Sequence, residues 1–152
     1  MKSTIIYLAI ATLFFSTQPA LASSGHGHDD SQKQMDMNHG KTFNHHEVVD
    51  GVKSEFEIMR LVDMNMKDEH GATHHIMVKL SDVKEGKEIK EAIGKIKVIS
   101  PDGTEQEGAL KNYSGILAAN FTFDKAGKYG VICLVKVGGQ QKVMKFWYPH
   151  KS

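Results

Sequence analysis

From Val48 onward the chain is a succession of short apolar runs, each closed by a turn signal at roughly regular spacing. That texture constrains the fold more than any other feature, because short strands punctuated in this way build all-β sandwiches. Residues 52–62 read as a first strand, with Phe56 and Ile58 on one face. Residues 74–80 read as a second, in which Ile76, Val78 and Leu80 alternate with Met77 and Lys79. Residues 95–100 form a third, stopped by Pro101-Asp102-Gly103, whose residue types favour a turn. Residues 105–110, 115–123, 128–137 and 141–148 complete a set of about seven strands. Gly138-Gly139 joins the last two as a tight hairpin. Residues 84–93 read as an extended connection held by Ile89 and Ala92, although Ile89 and Ile93 at i,i+4 also fit a short helix. The expectation is an antiparallel, immunoglobulin-like β-sandwich over residues 48–149.

The N-terminal part has a different composition. Residues 1–22 have the layout of a secretory signal: Lys2, an apolar stretch over 4–16, then Ala20-Leu21-Ala22 as an A-x-A cleavage site. The apolar stretch is short for a spanning helix, and a retained N-terminal anchor is the alternative reading. Residues 23–47 are polar, without helical or alternating periodicity, and read as a disordered His/Met-rich arm. A periplasmic or secreted protein that does not span the membrane after signal cleavage is expected. Cys133 is the single cysteine, so no internal disulfide supports the fold. With 19 Lys+Arg against 18 Asp+Glu, the chain lacks the basic footprint of a nucleic-acid binder.

The chemistry-bearing residues are clustered. Of nine histidines and eight methionines, only Met1, Met144 and His150 lie outside residues 26–77. Thioether and imidazole together suit Cu(I) and Cu(II), and imidazole also accepts Zn(II). The arm carries His26-x-His28, Met35-x-Met37-x-His39 and His45-His46. The connection after the first strand repeats that chemistry with Met64, Met66 and His70, followed by His74-His75 and Met77. In a strand His75 and Met77 share a face, opposite Ile76, Val78 and Leu80. A hairpin centred near Asp68 would set Met59 opposite Met77 and Leu61 opposite His75, close enough to share an ion. An odd register would separate these groups onto opposite faces. The plainer readings are that the methionines fill gaps in the core, that His74 caps its rim, and that the arm is a solvated linker.

A further motif bears on the fold. In Phe121-Thr122-Phe123-Asp124-Lys125-Ala126-Gly127-Lys128-Tyr129, a strand ends at Asp124 and Tyr129 opens the next. This resembles the tyrosine corner of immunoglobulin-like sandwiches, where the hydroxyl ties back to upstream backbone. With the segment from Gly86 to Pro101-Asp102-Gly103, the region resembles the YtkA-like and CopC-like group of small periplasmic β-sandwiches. The resemblance implies that fold and, for some members, an association with copper. No ligand set is carried over from that group.

Other chemistries find little support. A cupredoxin would place a histidine and a methionine soon after its cysteine, whereas Leu134-Val135-Lys136 follow Cys133. Haem-attachment, P-loop, dinucleotide and G-x-S-x-G motifs are missing. The expected function is non-enzymatic binding, buffering or delivery of a soft metal, copper first and zinc second, to a protein partner. Cu(II) and Zn(II) affinity should fall below about pH 6 as imidazoles protonate. The rival is an interaction module that docks on a periplasmic or membrane assembly through the aromatic strand around Trp147, with the arm incidental.

Overall fold

The computed structural model describes residues 42–151. Eight antiparallel strands run in the order β1 (Phe43–Val49), β2 (Val52–Arg60), β3 (His74–Asp82), β4 (Ala92–Ile99), β5 (Glu105–Tyr113), β6 (Ile116–Phe121), β7 (Gly127–Val137) and β8 (Gln140–His150). They pair as β1-β2-β3-β6-β5-β4-β7-β8. Residues 105–110 of β5 pair with β4 and residues 111–113 pair with β6, so this strand passes from one layer of the sandwich to the other. Among the described residues, no helix is long and apolar enough to cross a membrane.

Strand parity builds the core. Phe56, Ile58, Ile76, Val78 and Leu80 of one layer face Ile96, Val98, Val131, Val135 and Met144 of the other. Each such side chain contributes about 1.5–3 kcal/mol of burial. The tyrosine corner is present: buried Tyr129 accepts the Lys125 N–H at its hydroxyl (3.0 Å) and donates to Asp124 (3.5 Å). The corner also needs Gly127, which has φ of 140°; a Cβ there would lie 2.6 Å from the Pro101 ring. Cys133 is buried, and that burial pushes its thiol up to about 12. After a tight turn over residues 83–85, residues 86–91 form the expected extended connection, with Ile89 against the core and Ala92 buried at the start of β4.

The sandwich begins at Phe43 rather than Val48, so His45 and His46 belong to a strand and not to an arm. β1 is the eighth strand. Asp50 and Gly51, both with positive φ (46° and 78°), turn it tightly into β2. Its inward positions are Phe43, His45, Glu47 and Val49, two of them polar, and this hides the period-2 signal. The polar pair closes the seam between the edge strands β1 and β8. His45 stacks on Phe146 (4.4 Å between centroids), and the Glu47 carboxylate accepts the Lys145 N–H (3.0 Å). One edge amide of β8 that would otherwise invite another strand is thereby occupied.

Candidate metal-binding site

β2 and β3 carry the centre of the site. Their register sets Met59 opposite His75 and Glu57 opposite Met77. The expected pairing is corrected by one residue on each strand, because Leu61 leaves β2 and turns, buried, into a 3-10 segment, Leu61–Met64. The parity is as expected. Met59, His75 and Met77 are half-buried on the outer face, while Ile58, Ile76 and Val78 fill the core. Directly opposed residues have Cβ atoms about 4.5–5.5 Å apart, and Met77 lies two residues, about 6.7 Å, from His75 along the strand. Two thioethers, one imidazole and the Glu57 carboxylate therefore occupy four adjacent lattice points. Lys79 lies 3.5 Å from that carboxylate.

His75 is held in a defined tautomer. Asn120, its partner on β6, donates from Nδ2 to Asp68 Oδ2 (2.8 Å). Asn120 Oδ1 is therefore an acceptor, and its 2.6 Å bond to His75 Nδ1 requires a proton on Nδ1. The Nε2 lone pair is left for another partner. Asp68 also accepts the N–H groups of His70 (2.8 Å) and Ala72 (3.3 Å), which fixes the loop above the strand. The Asn120 bond first, and the His70 N–H second, hold the Asp68 carboxyl below the usual carboxylate range. A carboxylate and an amide that orient an imidazole are what a metal-ligating histidine commonly has behind it.

The loop brings further donors to a groove that adjoins His75 and is not lined by Met59 or Met77. Met66 and His70 line a groove of about 470 Å³ together with His75 and Asn120. Met64 is half-buried at the end of the 3-10 segment and lines neither this groove nor the neighbouring cleft. His46 is exposed on the outer side of β1, opposite Glu55, and His45 faces inward on Phe146. His26, His28, Met35, Met37 and His39 lie outside the described residues, as does the expected signal segment.

His74 points the other way. It is 2% exposed at one end of the core, with its ring against Phe123, Tyr148 and His150. Burial first, then the charges of His150 and Arg60, push it down to about 4. His150, at the end of β8, was not expected as a site residue. Its signal was parity: residues 142, 144, 146, 148 and 150 all alternate inward on β8. Among the described residues, no three His, Cys, Asp or Glu side chains gather as a metal-binding group.

No protein-family model, curated protein or solved structure matches the chain.

Proposed function

We propose that the protein binds a soft metal ion, copper first, and buffers it or passes it to a protein partner in the periplasm or outside the cell. The observation that supports this reading is the even register of β2 against β3. It gathers Met59, His75 and Met77 on the open face instead of dividing them between face and core. Thioether sulfur selects Cu(I), and imidazole also admits Cu(II) and Zn(II). His75 supplies the oriented nitrogen, Met59 and Met77 the sulfurs, and Met66 and His70 a second set of donors over the adjoining groove. The mechanism is reversible exchange of the ion among these groups and those of residues 26–39, without chemistry on a substrate. The resemblance to the YtkA-like and CopC-like sandwiches is part of the same proposal.

The test is an anaerobic Cu(I) titration of the full chain against a competing chelator, compared with Met59→Leu/His75→Ala/Met77→Leu. Cutting the chain at Val48 would delete most of β1, so the full chain is the sample to use. Weaker retention of Cu(I) by the triple variant, by at least about tenfold, supports the reading. Equal retention by both proteins counts against it.

A second reading rests on the opposite layer. Trp147 is 67% exposed, and Ile93 (69%) and Val143 (41%) are exposed large hydrophobics of the same layer. Its neighbours Phe146 and Tyr148 are buried. An exposed indole on a sheet face can anchor a protein partner, and in that reading the domain is an interaction module.

A further inference from the structure

One end of the sandwich places a histidine at the inward end position of each of two strands in different layers: His74 on β3 and His150 on β8. Their ring centroids are 5.0 Å apart with planes at 86°. With metal–nitrogen bonds of about 2.0–2.1 Å, two imidazoles on one ion have centroids roughly 5–6 Å apart.

The hydrogen bonds around His74 indicate which nitrogen is available. Thr73 Oγ1 accepts the Phe123 N–H (2.9 Å), lies 2.8 Å from His74 Nδ1, and lies 3.4 Å from the Phe123 carbonyl. Every group is served when Nδ1–H donates to the hydroxyl and the hydroxyl donates to the carbonyl. The opposite assignment would strand both the carbonyl and an Nε2–H. The Nε2 lone pair of His74 is thus left buried without a partner; among the described residues His45 Nε2 is the other such atom, but it sits in the β1–β8 seam with no second imidazole beside it. Leaving such an atom unpaired is unfavourable, because it gives up its hydrogen bond to water with nothing in return. A hydroxyl behind Nδ1 is also the support that a ligating imidazole uses.

His74 and His150 line a cleft of about 440 Å³ with Met66, whose side chain is 45% exposed. We infer that His74, His150 and Met66 form a second metal site, selective for Cu(I), at the end of the core. Three neutral donors suit a soft monovalent ion. The remaining lining sharpens that choice. Arg60 is neutralised by Asp63 through two bonds of 2.6 and 2.7 Å, and the Asp68 carboxylate offsets one of the two remaining cations, Lys67 and Lys151, so the lining keeps a net positive charge. Each fixed positive charge opposes a dication twice as strongly as a monocation at the same distance. Met66 also lines the outer groove with His70 and His75, so one thioether borders both sites.

This site stands or falls separately from the outer-face cluster. The test uses the full chain with ¹⁵N-labelled histidine, anaerobic, with Cu(I) supplied from a competing chelator. Imidazole nitrogen resonances are followed in the wild type and in His75→Ala, His150→Gln and Met66→Leu. These variants replace exposed or half-buried side chains, so the fold is retained. The expected result is that the His74 and His150 resonances move together, and still move in His75→Ala. His150→Gln should abolish the His74 response, with retention in this cleft falling at least about tenfold; Met66→Leu should lower it less. Static His74 and His150 signals beside a moving His75 would overturn this inference and leave the outer-face reading intact. Static signals from all three would overturn both. A stronger response to Zn(II) than to Cu(I) would overturn the monovalent assignment.

Discussion

His74 and His75 are neighbours in sequence but differ in every physical respect. His75 is on the outer face, half-buried, with Nδ1 tied through Asn120 to the Asp68 carboxylate. His74 is in the core, 2% exposed, its Nε2 unpartnered, its ring against Phe123 and His150. One strand step separates a ring supported by polar groups from a ring confined by apolar ones. Residue type does not distinguish them; parity does. The same division runs along β3, where Ile76 is core and Met77 is not.

The largest expected contrast is at that second pair. Ile76→Ala should cost about 2–5 kcal/mol by opening a cavity among Phe56, Val78 and their neighbours. Met77→Ala should cost less than about 1 kcal/mol, as surface changes do. Urea denaturation of the metal-free protein measures both. Equal losses would mean that Met77 is a packing residue and would remove the two-face contrast.

The two histidines should also respond differently to acid. In the unfolded chain His74 takes its proton near pH 6.5, and in the folded protein only near pH 4. Between those values the unfolded state binds more protons, so stability falls as pH drops through this window. The loss should reach about 3 kcal/mol by pH 4 and add nothing below it. Denaturation midpoints from pH 7 to pH 4, with a chelator present, should show this slope, and a His74→Leu variant should reduce it, leaving the contribution of His150, whose proton affinity burial also lowers. A flat profile in the wild type would mean that His74 is hydrated.

Asn120→Ala is a gentler test of the polar side. It removes the amide that orients His75 and should weaken Cu(I) retention about 10–100-fold, with a stability change below about 1 kcal/mol. Chelator competition alongside a melting curve separates the two. An unchanged affinity would make the Asp68–Asn120–His75 chain a loop clasp only. The smallest effect concerns the opposite layer. Trp147, the single tryptophan, should be readily quenched by acrylamide, and Trp147→Ala should cost less than about 1 kcal/mol. A shielded Trp147 in dilute solution would show that this face is already covered, by a second copy or by the N-terminal residues.

Much of this was legible in the sequence, for identifiable reasons. Turn residues and strict alternation in β3 set its two faces, and Tyr129 after Ala126-Gly127 gave the corner. β1 was missed because two of its inward positions are His45 and Glu47. The informative signal there is Asp50-Gly51, a residue pair that favours a tight hairpin and so implies a strand on its N-terminal side. The β2–β3 register was displaced because Leu61–Met64 coils before the strand returns, which no hydrophobic pattern announces. His150 was invisible as a partner of His74 because nothing local links residues 76 positions apart; only the closed sandwich brings them together.

The most direct test of the central claim is a ¹³C-methyl spectrum of the methionines in the full chain during addition of one equivalent of Cu(I) under anaerobic conditions. The account predicts that the Met59 and Met77 methyl resonances shift together, and that His75→Ala weakens that response. Shifts confined to Met35 and Met37, or no shifts at all, would contradict a metal site on the folded domain.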